Sequence, residues 1–140
     1  MLSLFLNSVL TIVIIKKVNR YSKQMRTTKE LGDKGEQLAI DFLLQKNYEM
    51  VSKNYRYKRA EIDLIVRKGN CIIFVEVKYR TGVGFGFPEE VIKGSKKKLI
   101  QIAAENYVIE NDWNQSIRFD IISIIEKGNH LQIEHFEDAF

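Results

Sequence analysis

Two short segments separated by a tight turn constrain this chain more than anything else in it. Glu61-Ile62-Asp63-Leu64-Ile65-Val66 and Cys71-Ile72-Ile73-Phe74-Val75-Glu76-Val77-Lys78 are filled with β-branched and aromatic residues, and Lys68-Gly69-Asn70 between them is a hairpin signal. A two-residue Gly69-Asn70 loop sets Lys68 against Cys71, and counting back along both strands brings Asp63 opposite Glu76. Directly opposed residues have Cβ atoms about 4.5–5.5 Å apart. Strand side chains alternate with a period of two, so Lys78 shares the face of Glu76. Two carboxylates and one ammonium thus converge on one patch of sheet, a candidate divalent-metal site with a cation beside it. The plain alternative, a solvated Glu76–Lys78 pair, leaves opposed carboxylates without a counter-ion, which is destabilising.

A chain of 140 residues, 45% hydrophobic and 29% charged, has room for one domain with a real core and none for a second. Its single cysteine, Cys71, lies inside an apolar strand pattern, so no disulfide framework exists and a reducing setting is expected. His130 and His135 lack partners at zinc spacing and read as ordinary surface or strand residues. The net charge of +4 is carried by Lys16, Lys17, Arg20 and Lys23, because residues 1–24 contain no acid and the rest balances. Distribution says more than the sum: residues 53–98 hold 12 basic and 5 acidic groups, while residues 99–140 hold 2 and 8. Positive charge therefore gathers around the two strands.

Residues 1–24 read as an N-terminal extension or a weak apolar anchor, ahead of a domain over 25–140. Leu2–Ile15 is an apolar run interrupted by Ser3, Asn7, Ser8 and Thr11. As a helix it spans about 21 Å at 1.5 Å per residue, short of a hydrocarbon core of about 30 Å. A secretory signal is disfavoured, because no positive charge precedes the run and no small-residue cleavage pattern follows it. An upstream extension with Met25 as the true start, a membrane or interfacial segment, and a core element all stay open.

The remainder reads as an α/β domain in the order helix, three strands, helix, strand, with a trailing strand. Thr27-Thr28-Lys29-Glu30 has capping-box spacing, and Leu31, Gly35, Leu38, Ala39, Phe42 and Leu43 recur at helical intervals up to about Asn47. Met50–Tyr57 is a first strand before the hairpin. Gly82, Gly84 and Gly86 mark a flexible connection, and Pro88-Glu89-Glu90 suits the opening turn of a helix continued by Val91, Leu99, Ile100, Ala103, Tyr107 and Val108. Arg118–Ile125 is a further strand, turned by Lys127-Gly128-Asn129 into Leu131–His135.

An early helix with Gly35-Glu36, an Asp on a strand, Glu-x-Lys on the next and a basic helix afterwards resemble the restriction-endonuclease-like, or PD-(D/E)xK, superfamily. More closely, Gly32-x-x-Gly35-Glu36-x-x-Ala39, Asn54-x-Arg56, Glu61-Ile62-Asp63-Leu64-Ile65, Phe74-Val75-Glu76-Val77-Lys78-x-Arg80 and Arg118-Phe119-Asp120 resemble the YraN-like family of predicted endonucleases. The likeness runs from Leu31 to Ile125. It departs at Ala60, where the family pattern has Gly, a change that matters only if the backbone there needs positive φ.

The resemblance implies a restriction-endonuclease-like core with a mixed central sheet flanked by helices. It implies a Mg2+- or Mn2+-dependent endonuclease hydrolysing DNA phosphodiester bonds, with branched DNA as one candidate substrate. Asp63 and Glu76 are then the direct ligands, the Val77 carbonyl a further one, and Glu36 approaches from the first helix toward the ion or a bridging water. Lys78 positions and helps deprotonate the attacking water or neutralises transition-state charge. Arg80, Lys93, Lys96, Lys97 and Lys98 are the candidates for holding the phosphate backbone, against the plainer reading of a solvated face. Asp120 reads as structural, pairing Arg118 or a neighbouring base, and Tyr55, Tyr57, Tyr79 and Trp113 as packing rather than base-stacking residues. The expected partner is DNA, with no small-molecule cofactor. A homodimer would suit an enzyme that cuts two strands, and a membrane partner is expected only if residues 2–15 act as an anchor. The rival function is a non-catalytic nucleic-acid-binding module that keeps the nuclease fold.

Overall fold

The computed structural model describes residues 10–16, as backbone, and residues 27–82 and 92–140. Among these, six strands form one mixed sheet: β1 (Leu10–Lys16), β2 (Glu49–Tyr57), β3 (Ala60–Lys68), β4 (Cys71–Thr81), β5 (Ser116–Lys127) and β6 (His130–Phe136), in the order β1-β6-β5-β4-β3-β2. Helix α1 (Thr28–Gln45) covers one face and α2 (Gly94–Glu110) the other. β2, β3 and β4 form an antiparallel meander, α2 carries the chain over to β5 parallel to β4, and β6 and β1 complete the sheet antiparallel. The order helix, three strands, helix, two strands is compatible with the nuclease-like core expected from the sequence.

Local chemistry explains the main boundaries. Thr27 caps α1 through a complete capping box: its hydroxyl accepts the Glu30 N–H and the Glu30 carboxylate accepts its own. The β3–β4 loop is two residues long, with positive φ at Gly69, the position where a type II′ turn requires glycine. Ala60 opens β3 without positive φ, so its departure from the family glycine carries no backbone cost; the left-handed residue of that turn is Lys58. The second helix begins at Gly94, and the stretch from Val83 to Val91, including Pro88-Glu89-Glu90, lies outside the described residues. Leu10–Lys16 is an extended strand paired with β6, not a helix, while residues 1–9 and 17–26 lie outside the described residues.

Two cores sandwich the sheet. Ala39, Phe42 and Leu43 of α1 pack on Leu64, Val66, Ile73, Val75, Ile122 and Ile124. Ile100, Ala103, Ala104 and Tyr107 of α2 pack on Ala60, Ile62, Ile65, Ile72 and Phe74. Ile62 and Leu64 therefore face opposite cores although a regular strand would place them together. The side-chain alternation of β3 switches at Asp63. There the β2–β3 ladder skips from Lys53↔Leu64 to Tyr55↔Ile62, and the intervening Asn54 adopts φ 53°.

Of the surface and strand readings, His135 takes the strand: it is buried on β6, and one ring nitrogen lies 2.7 Å from Asp120 Oδ2. Arg118 grips the Asp120 carboxylate with two N–H bonds of 2.8 Å and donates to the Tyr48 hydroxyl at 3.1 Å, while the Asp138 N–H donates to Asp120 Oδ1 at 3.0 Å. Asp120 is structural, as its pairing with Arg118 led one to expect.

Candidate active site

The hairpin register runs as the sequence predicts, from Lys68↔Cys71 to Leu64↔Val75, and ends there. Asp63 is the next residue, where β3 leaves its partner, and its carboxylate takes the Val77 N–H at 2.8 Å in place of a ladder bond. The divergence opens a cleft of about 400 Å³ lined by Glu36, Asp63, Glu76, Val77, Lys78 and Lys96, with Leu31, Gly32 and Tyr79 among the remaining walls. Glu36, Asp63, Glu76, Val77 and Lys78, expected at the site from sequence, thus lie together around one cleft. Of the five basic candidates, only Lys96 lines it; Arg80, Lys93 and Lys98 are exposed elsewhere, and the Lys97 ammonium lies 6.0 Å from the Phe140 ring centroid.

Each element positions its side chain for a stated reason. Glu36 is set by Gly35, whose lack of a side chain lets α1 lie against Tyr79 of β4: a Cβ there would sit 2.5 Å from Tyr79 Cβ. Beside that contact, Lys34 and the Tyr79 hydroxyl both bond the Glu126 carboxylate and hold α1 on the sheet. Glu76 and Lys78 alternate with Val75 and Val77, which pack on the α1 side, and so point toward α2. Lys96 reaches them from the first turn of α2.

Glu76 is 2% exposed, and a carboxylate buried to that extent needs partners. Lys78 Nζ lies 3.1 Å from its Oε1, and the Lys96 ammonium bonds the same oxygen. Oε2 of Glu76 is buried without a hydrogen-bond partner, and so is Oε2 of Glu36, although Lys53 Nζ stands 3.3 Å from the latter. Burial, then the charge of Glu76, pushes the Asp63 pKa up to about 7, against the pull of the Val77 N–H. Burial works to lower the Lys96 pKa, but the Glu76 carboxylate it bonds and the nearby Asp63 outweigh it, and the net shift is upward. Sequence reading missed two of these partners, Lys53 on Glu36 and Lys96 on Glu76. Among the described residues, each contact joins two successive elements, α1 with β2 and β4 with α2, across a separation that no local spacing rule covers, and the only sequence signal is the basic residues flanking the acidic hairpin.

The donor set suits a hard divalent cation. Glu76 Oε2 is buried without a hydrogen bond, Glu36 Oε2 has only the Lys53 ion pair, and Asp63, raised by burial beside Glu76, brings a third carboxylate to the cleft, so its oxygens have capacity for a cation. Among the described residues no three His, Cys, Asp or Glu side chains stand together as a ready-made ligand group. Magnesium does not require one, since it keeps several waters and takes one or two carboxylates. Asp63, Glu76 and the Val77 carbonyl, with Glu36 beyond, would hold it. Also among the described residues, no helix is long and apolar enough to cross a membrane.

Comparison with known proteins agrees with the resemblance read from the motifs. The model of uncharacterised protein family UPF0102 matches residues 35–124. The UPF0102 protein of Flavobacterium psychrophilum is 43% identical over 111 residues, covering 79% of this chain and 93% of that protein. Those of Clostridioides difficile and Cytophaga hutchinsonii are 44% identical over 115 residues and 45% over 108, covering 80% and 77% of this chain and 97% and 93% of theirs. The matched stretch contains Glu36, Asp63, Glu76, Lys78 and Lys96, every charged side chain of the cleft named above, and the chain belongs to the UPF0102, or YraN-like, family.

Proposed function

We propose that the cleft hydrolyses DNA phosphodiester bonds as a Mg2+- or Mn2+-dependent endonuclease. The observation that carries this reading is the pair of buried carboxylate oxygens without hydrogen bonds, on Glu36 and Glu76, in a cleft with Asp63 and two ammonium groups. A bound divalent ion supplies charge stabilisation at a phosphoryl oxygen and an activated water. The chain's own residues do the rest. Asp63, Glu76 and the Val77 carbonyl bind and orient the ion, and Glu36 holds a water or the ion from the α1 side. Lys78, tethered 3.1 Å from Glu76, presents a fixed positive charge to the transition state, in a part-buried position where such a charge counts for more than in water. The basic residues outside the cleft, Arg80, Lys93, Lys97 and Lys98, hold the DNA backbone without reading sequence. Substrate choice then rests on shape, with branched DNA among the forms to be tested.

A second reading is a nucleic-acid-binding module without catalysis. It is favoured by one observation: the ammonium groups of Lys78 and Lys96 both pair Glu76 Oε1, so the carboxylate carries cations of the chain's own. Incubating the full chain with labelled duplex, single-stranded and four-way-junction DNA in Mg2+ and in Mn2+, beside Glu76→Gln and Lys78→Ala, separates the two. Metal-dependent cutting lost in both variants supports the endonuclease. Metal-independent binding without cutting by all three proteins sinks it in favour of the binding module.

A further inference from the structure

The structure assigns a role to Lys96 that the phosphate-gripping expectation did not contain: we propose that its ammonium is a built-in counter-ion of the carboxylate cleft, displaced when a divalent cation binds. The inference rests on the reading of the cleft as a metal site. It begins from an oddity of α2. Three lysines, Lys96, Lys97 and Lys98, occupy the start of the helix, its positive end, where the first turn has no acidic residue and Lys93 provides no side-chain cap. Cations there oppose the helix dipole. Lys98 stays in solvent and Lys97 lies near Phe140, whereas Lys96 turns inward to bond Glu76 Oε1.

The reason is charge. Glu36, Asp63 and Glu76 bring three carboxylates to one cleft, and a buried carboxylate without a cation is costly. Lys78 cannot leave: it sits on β4 two residues from Glu76, with its side chain 23% exposed. Lys96 can. Its side chain is 42% exposed, and its four-carbon stem can swing the ammonium into solvent without moving the helix. The two ammonium groups share Oε1 and leave Oε2 vacant for a ligand. A divalent ion arriving between Asp63 and Glu76 would bring the positive charges close to Glu76 to four, and the most exposed monovalent one would leave.

The test uses the full chain without DNA and reads Mn2+ binding by calorimetry and by the electron paramagnetic resonance of the free ion. Lys96→Met should bind Mn2+ on the order of tenfold more tightly than wild type, about 1.4 kcal/mol. It should unfold at lower urea without metal and recover when Mn2+ is added. Lys29→Met, which removes an exposed charge from the start of α1, should bind as wild type does, and Glu76→Gln should lose binding. If Lys96→Met does not fold, Lys96→Gln replaces it. In the wild type, the Lys96 Nζ resonance should be visible and protected without metal and vanish at saturating Mg2+. An unchanged or weaker affinity in the Lys96 variant, or an Nζ signal that survives saturation, overturns the counter-ion role while Glu76-dependent binding keeps the metal site. Absence of Mn2+ binding in every protein, wild type included, overturns both.

Discussion

Gly35→Ala isolates the contact that sets Glu36. The added Cβ would lie 2.5 Å from Tyr79 Cβ and 3.1 Å from its Cγ. Carbon atoms in favourable contact are about 3.5–4.0 Å apart, so α1 and β4 must part by roughly 1 Å. The opposing atom is a Cβ fixed to the β4 backbone and not the far end of a flexible chain, so no rotamer change relieves it. Overpacking of this kind costs about 1–3 kcal/mol, and the upper half of that range suits a contact so short. Replacing Gly by Ala within a helix returns about 1 kcal/mol of propensity, leaving a net loss of about 1–2 kcal/mol. Urea denaturation should show the midpoint falling without a change in slope, and Tm should drop by several degrees. Gly32, one turn earlier in α1, has nothing within 4 Å of the point a Cβ would occupy, so Gly32→Ala should gain up to about 1 kcal/mol. A Gly35→Ala protein as stable as wild type, or two glycine variants shifted alike, would refute the close-approach argument.

Other residues carry further outcomes. Asp120→Ala strips one partner from a buried network and should cost about 3–5 kcal/mol in chemical denaturation. Burial raises the Asp120 pKa, but His135, then Arg118 and the Asp138 N–H, outweigh it and hold it below the ordinary range. A depressed folded-state pKa means that this contribution is complete above the unfolded value of about 3.9 and is lost as pH falls through the folded value. The stability gap between wild type and Asp120→Asn should therefore be steady from pH 5 to 7, on the order of a few kcal/mol, and shrink below about pH 4; a constant gap down to pH 2 contradicts it. Thr27→Ala removes the α1 cap and should lower stability by about 1 kcal/mol, read from the urea midpoint. Arg80→Ala and Lys98→Ala should each reduce the slope of log affinity against log salt for DNA by about 1, read by fluorescence anisotropy, and an unchanged slope returns that residue to the solvated surface.

The parts legible in the sequence are those fixed by neighbours along the chain. The capping box at Thr27, the Gly69-Asn70 loop and the register that follows from it are local, and all three hold. Asp63 marks where local reasoning runs out. Period-two alternation assumes a regular strand, but the skip in pairing at Asn54 turns β3 over, so that Ile62 and Leu64 serve different cores. The partners of Glu36 and Glu76 come from β2 and α2, and no spacing rule connects them to the hairpin. His135 lies on a strand, one of the two readings open to it, but its burial is not legible locally, because it depends on Asp120 and Arg118 meeting it across the β5–β6 pair. Apolar run length left the nature of Leu2–Ile15 open, because it does not distinguish a helix from a strand when β-branched residues fill the run, as they do in Thr11–Ile15 of β1.

The topology also orders events in time. Asp63 and Glu76 lie on a hairpin closed by two residues, a contact of short sequence separation that forms on a scale of about 1–10 μs. Lys96 lies on the crossover between β4 and β5, and it is seated only when those strands pair in parallel across residues 82–115. Long-range parallel pairing is the slow step in chains of this kind. This order predicts a refolding interval in which the acidic hairpin carries Lys78 but not yet Lys96 beside Glu76. If the cleft takes a divalent ion as proposed, ions added at the start of refolding would meet Glu76 beside Lys78 alone, whereas ions added to the finished protein would meet Lys96 as well.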